Sequence, residues 1–212
     1  MFVRNRMTAN PFTVTPDDTV PAAAAVMSKH SVRHLPVVEG RRVVGVVSHS
    51  DIAASSPSPA TSLSASELTY LLSKLKVAKA MSRDPITISP GALLEEAAVA
   101  MRDNKIEMLP VVEGGELVGV ITESVILDAF IELLGFRDHG TRLTVEATDV
   151  PGGLARLGEI TARHQANIQH VAVYRGEGQS TVVVGVNTPN TDALEADLTA
   201  GGFVVLARLV NP

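Results

Sequence analysis

The sequence predicts a mixed protein, α/β in a duplicated βαββα unit and α+β in a βαββαβ unit behind it. Two observations lead there. Sliding the chain against itself by 74 residues brings Met7 onto Met81, Pro11 onto Pro85, Met27 onto Met101, LPVVEG (35–40) onto LPVVEG (109–114) and Gly45 onto Gly119, without a gap. After Leu134 and Gly135 the pattern changes to alternating strands around two helical stretches, and the repeat does not recur. Two copies suit a self-paired module, since a solenoid needs more.

Each copy opens with a short extended piece, FTVTP or ITISP. In the first copy Thr15, Pro16, Asp17 and Asp18 mark the expected start of an Ala-rich amphipathic helix reaching His30, and in the second the helix covers 92–104. Two β-branched runs follow, LPVV with RVVGVV and LPVV with LVGVI, each pair joined by a short turn, and a last helix opens at Ser48 or Thr122. Between the copies lies a Ser/Pro/Ala linker, then a helical stripe at Leu68, Leu71, Leu72 and Leu75. That stripe either packs on its own module or makes a dimer contact. In the C-terminal region TRLTVEATDV reads as a strand, and Leu154, Leu157, Ile160 and Thr161 share a helix face. A hairpin about RGEG, a helix stopped by Gly201 and Gly202, and a last strand FVVLARLV complete it. This order is that of a ferredoxin-like fold. The expected divisions are 1–66, 67–137 and 138–212.

Composition narrows the function. Hydrophobic residues make up 45% of the chain but aromatics only 3%, so the core is aliphatic and base-stacking platforms are not expected. A net charge of −5 with no basic run argues against nucleic acid as a partner. The absence of Cys removes disulfides, thiolate metal sites and cysteine nucleophiles, and suits a reducing compartment. No stretch is apolar enough for a signal peptide or a membrane span, so the expectation is a cytoplasmic protein without membrane insertion.

The repeat, with its LPVV strands, its GVVS and GVIT strand ends and its opening MT and MS, resembles a pair of cystathionine β-synthase (CBS) domains. Asp149, Pro151, Gly152 and Leu154, in a DxPGxL arrangement with Asn167 and Ile168 after the helix, resemble an ACT domain. The order of parts is similar to the AcuB-like group of acetoin-utilisation proteins. These resemblances imply a non-catalytic, free-standing sensor, a cytoplasmic homodimer acting on an enzyme or transporter. Its CBS pair would bind AMP, ADP, ATP (with Mg where the nucleotide brings it) or S-adenosylmethionine as regulatory ligand. Its ACT domain would dimerise and take an amino acid, and no catalytic cofactor is implied.

In the CBS family an acid three residues after the strand-end Ser or Thr receives the ribose hydroxyls. Ser48 and Asp51 match, whereas Thr122 is followed by Val125. A carboxylate accepts both O–H groups of a vicinal diol, and a helix N-terminus offers N–H groups to phosphate. Arg33 and His34 precede the first LPVV and Glu107 and Met108 the second, so the expectation is one better nucleotide site, lined mainly by the first copy and involving Asp51, with Thr15 adding a hydroxyl. Ser48 with Asp51 is also close to a capping box, and both readings stand. For the second ligand the resemblance implies Asp149, Gly152, Gly153, Leu154, Asn167 and Ile168, and a turn with Pro151 at the first helical position reads equally well.

Other signals carry no chemistry. His30 and His34 are spaced by four but lack further metal ligands, GEGQST leads into no helix, and no nucleophile and base pair assembles. A ligand-free adaptor that recruits an enzyme or transporter is the alternative to the sensor.

Overall fold

The repeat folds by exchanging its first strands. A computed structural model describes residues 1–55, 70, 73–176 and 178–211, and the chain divides into two units, Met1–Ile126 and Leu127–Pro212. The first copy supplies β1 (Thr8–Ala9), α1 (Val20–His30), β2 (His34–Glu39), β3 (Arg42–Ser48) and α2 (His49–Ser55). The second supplies α3 (Val77–Ala80), β4 (Ser82–Arg83), α4 (Leu94–Asn104), β5 (Met108–Glu113), β6 (Glu116–Thr122) and α5 (Glu123–Leu133), the last running past the division.

Both copies form an antiparallel hairpin, β2 with β3 and β5 with β6, and each hairpin receives its third strand from the other copy. Thr8 and Ala9 pair with Val120 and Gly119, while Ser82 and Arg83 pair with Val46 and Gly45. Glycine makes the crossing possible. A Cβ on Gly45 would stand 2.7 Å from Met81 Sδ and 2.9 Å from the Ser82 carbonyl oxygen, and one on Gly119 2.8 Å from Met7 Sδ and 3.0 Å from the Thr8 carbonyl oxygen. The same two-way exchange recurs beside it. Val3 N–H donates to the Ala92 carbonyl and Leu94 N–H to that of Met1, and one repeat later Val77 N–H donates to Asp18 and Val20 N–H to Leu75.

That exchange corrects the expected start of the first helix. Asp18 lies outside α1, because its carboxylate accepts the N–H and hydroxyl of Thr15 at 2.6 and 3.0 Å and its carbonyl receives Val77. The helix begins at Val20, with the Thr19 hydroxyl accepting from Ala22 N–H at 3.3 Å. Both long helices end on a left-handed residue, Ser31 and Lys105, which turns the chain into β2 and β5. The core is aliphatic, as composition requires: Ala23, Met27, Leu35, Val37 and Val47 in one copy, Ala97, Met101, Leu109, Val111 and Ile121 in the other. Each fully buried Val or Leu contributes about 1.5–3 kcal/mol. Of the linker stripe, Leu68, Leu71 and Leu72 lie outside the described residues.

The second unit runs β7 (Gly140–Thr148), α6 (Gly153–Arg163), β8 (Ile168–Arg175), β9 (Gln179–Val186), α7 (Asp192–Ala200) and β10 (Val204–Asn211). Its antiparallel sheet has the order β10-β7-β9-β8, the split βαβ arrangement. Alternate residues Leu143, Val145, Val182 and Val184 bury one face against Leu157, Ile160, Leu194 and Leu198. Helix α6 starts at Gly153 after Gly152 in the left-handed region (φ 87°), so Pro151 precedes the helix instead of opening it. Of the GEGQST stretch, Gln179, Ser180 and Thr181 open β9, and Gly176 N–H, just after β8, donates to the Gln179 carbonyl. Among the described residues no helix is long and apolar enough to cross a membrane.

Candidate functional site

The first unit holds a cleft of about 300 Å³ where the two copies meet. One wall is the start of the chain, from Thr8 through Asn10 to Phe12; the floor is the turn after α1 and the start of β2, including Arg33 and His34; the far wall is Glu107, Met108, Val120, Thr122 and Ser124. The strand exchange creates this arrangement, since β1 carries Thr8 and Asn10 onto β6, which ends at Thr122. Asn10 sits in the left-handed region (φ 49°), as does its repeat partner Asp84 (φ 48°), a conformation that Asn and Asp tolerate. Phe12 is half-exposed and stacks on His30, ring centroids 3.6 Å apart, which places an aromatic face at the cleft that residue spacing alone did not single out.

The charged groups of the cleft lie on the line relating the copies. Arg33 and Glu107 occupy equivalent repeat positions, and they face each other: Arg33 Nη2 is 3.9 Å from Glu107 Oε2, and His34 Nε2 is 3.8 Å from the same oxygen. Burial holds the His34 imidazole below histidine's ordinary value of 6.5; Glu107 and Asp51 oppose that shift and Arg33 adds to it. Arg33 itself is mostly exposed at the rim.

Of the residues singled out from sequence for a nucleotide, Arg33, His34 and Thr122 come together in this cleft. Ser48, Asp51 and Thr15 are not among its lining. Asp51 Oδ2 accepts the Ser48 N–H at 2.8 Å and the Ser48 hydroxyl at 2.7 Å, while Asp51 N–H donates to Ser48 Oγ at 3.1 Å, a closed capping box. The Thr15 hydroxyl donates to Asp18. Among the described residues no group of His, Asp and Glu is placed to hold a metal ion.

The second unit has a cleft of about 590 Å³ around the β7–α6 loop, lined by Asp149, Gly152, Gly153 and Leu154 together with Arg175, Ser180 and Phe203. Arg175 Nε lies 3.5 Å from Asp149 Oδ2. The Ser180 hydroxyl is buried and has no hydrogen-bond partner, a feature invisible in sequence because it depends on which face of β9 turns inward. Asn167 and Ile168 are not part of this lining; Asn167 N–H donates to the Asn187 side chain at 2.8 Å, and Ile168 begins β8 opposite Val186.

The family model for the CBS domain matches residues 3–57 and 77–132, more than half of the chain. Inosine-5'-monophosphate dehydrogenase from Korarchaeum cryptofilum is 31% identical over 166 residues, 78% of this chain and 32% of the relative. The chain thus spans about a third of that enzyme's length. The CBS domain-containing protein YhcV of Bacillus subtilis is 29% identical over 119 residues, 56% of this chain and 78% of the relative. Among solved structures, a protein assigned to acetoin utilization (AcuB) from Vibrio cholerae superposes with a TM-score of 0.54 at 31% identity, covering 65% of this chain and 96% of that one. CBSX2 in complex with AMP superposes with a TM-score of 0.51 at 29% identity, covering 62% and 96%.

Proposed function

Because the chain belongs to the CBS-domain family, with two copies in tandem, we propose that it is a non-catalytic ligand-sensing regulatory protein whose CBS pair binds an adenosine-containing ligand in the cleft of Arg33, His34 and Thr122. The observation that carries this reading is the meeting, across the copies, of a cationic group with a strand end that opens a helix. Arg33 supplies charge to a phosphate, the Thr122 hydroxyl supplies a donor at the start of α5, where Glu123 N–H is already given to the Glu107 carbonyl, and Phe12 offers an apolar face. The likeness to CBSX2, solved with AMP, supports an adenine nucleotide as the ligand class, brought with or without Mg. Ser48 and Asp51 hold, in the first copy, the positions that Thr122 and Val125 hold in the second.

The second unit, 138–212 in this reading, is an ACT domain that dimerises the protein and takes an amino acid beside Asp149, Gly152, Gly153 and Leu154. Support comes from the βαββαβ order and from the start of α6, which no side chain caps and where a carboxylate is favoured. The protein then acts in the cytoplasm on an enzyme or transporter by favouring one arrangement of its modules when ligand is bound.

Calorimetric titration of the full chain with AMP tests this. Saturable binding, weakened at least about tenfold in Arg33→Ala and in Thr122→Val, is the expected result. A ligand-free adaptor is the second reading, favoured by Glu107 already standing against Arg33 and His34. Absence of binding to AMP, ADP, ATP and S-adenosylmethionine, with the protein folded, would establish the adaptor instead.

A further inference from the structure

Resting on the reading of the first unit's cleft as an adenosine-ligand site, we propose that Glu107 is its specificity-determining residue, selecting a ligand with a single phosphate over the corresponding di- and triphosphates. Duplication would have placed the same residue twice at this point of the pseudo-twofold module. Instead one copy carries Arg33 and the other Glu107, and the two meet at 3.9 Å inside the same cleft. The carboxylate oxygen that faces Arg33 also faces His34.

The charge available to a phosphate is therefore small. Among the described residues lining the cleft, Arg33 and His34 are the cations and Glu107 the acid. Burial keeps His34 largely neutral near pH 7, so Arg33 carries the positive charge and Glu107 opposes it. One phosphate can take the Arg33 guanidinium, whose five donors outnumber what a single carboxylate 3.9 Å away engages. A second and third phosphate bring further negative charge to a cleft that has no further cation, beside a carboxylate that repels them. At about 300 Å³ the cleft is also at the small end for ligand sites. Since Glu107 is half-exposed, water screens the repulsion. The expected discrimination is on the order of tenfold per added phosphate, not thousands.

The test is calorimetric titration of the full chain with adenosine, AMP, ADP and ATP without divalent cations, for the wild type, Glu107→Gln and Glu113→Gln. Glu113 ends β5 and is outside the cleft lining, so its variant removes the same unit of charge elsewhere. The wild type should bind AMP about tenfold more tightly than ADP and ADP more tightly than ATP. Glu107→Gln should bring the three within about threefold while AMP binding remains saturable, which shows an intact site; Glu113→Gln should keep the wild-type order. ATP binding as tightly as AMP in the wild type, an unchanged order in Glu107→Gln, or an order erased equally by Glu113→Gln would each overturn the proposal. Binding of none of the four ligands would remove the cleft reading itself, an outcome distinct from tight binding without discrimination.

Discussion

The two strand–helix junctions, Ser48 to Asp51 and Thr122 to Val125, come from one ancestral segment and do different things. In the first, a carboxylate and a hydroxyl satisfy each other and two backbone N–H groups within four residues. In the second, Val125 has no acceptor to return, and Thr122 lines the cleft shared with Arg33 and His34. A side chain suited by chemistry to a ligand can be occupied by its own backbone, and losing the acid frees the hydroxyl beside it. Charge diverges in the same sense: Asn10 at the cleft corresponds to Asp84 in the other copy.

The strongest way to break this comparison is to break the exchange of strands that both junctions depend on. Gly45→Ala and Gly119→Ala each push a Cβ against a backbone carbonyl and a Met sulfur of the incoming strand. Each should cost about 1–3 kcal/mol, nearly equally, by urea denaturation. A cost at one glycine and none at the other would mean that the copies do not hold their third strands in the same way.

Next in size are the junctions themselves. Ser48→Ala removes the hydroxyl of a closed cap and should destabilise by about 1 kcal/mol, whereas Thr122→Ala should cost only a few tenths. Val125→Asp should build the missing box and stabilise by about 0.5–1 kcal/mol. The same variant should bind AMP more weakly, since the Thr122 hydroxyl is then engaged by its neighbour. Unchanged stability with unchanged binding would show that the two junctions differ in sequence only.

Much of this was legible before any coordinates. The gapless repeat gave both hairpins, their helices and the glycine pair, because a buried apolar run tolerates little change of period. The βαββαβ order of the second unit followed from alternation in β7 and β9, where Leu143, Val145, Val182 and Val184 face the core. What stayed hidden is what depends on partners distant in sequence. Asp18 reads as a helix-start acid until Val77 is found on its carbonyl. Arg33 and Glu107 read as a contrast between two sites, and they prove to face each other in one cleft, where the exchange of β1 and β4 helps bring the copies together.

His34 sharpens the comparison through pH, because its repeat partner Met108 cannot titrate. Its folded value is held below 6.5, chiefly by burial. The unfolded chain therefore binds more protons as the pH falls past 6.5, and stability declines in that window until the folded imidazole is charged. Phosphate binding should move the opposite way, since a protonated His34 adds a cation to the cleft. His34→Gln should flatten both trends between pH 7 and pH 5, read by thermal melts and by AMP titration at each pH. Trends that survive the substitution would assign them to other groups.

The smallest effect separates two of the ion pairs that join the copies. Arg41 Nε meets Glu116 Oε2 at 3.0 Å, closer than Arg33 meets Glu107, and a backbone hydrogen bond from Leu117 N–H to the Arg41 carbonyl lies beside it. Geometry alone would rank it the more important. Arg41 is 69% exposed and Glu116 49%, however, and a solvated pair gains little over two hydrated ions. Arg41→Ala should cost at most about 0.5 kcal/mol, a cost that fades as salt is raised, and should leave AMP affinity unchanged. Arg33→Ala should do the reverse, costing little stability but lowering affinity. If Arg41→Ala weakened binding as much as Arg33→Ala, the charge that matters would be the net charge of the module and not its placement in the cleft.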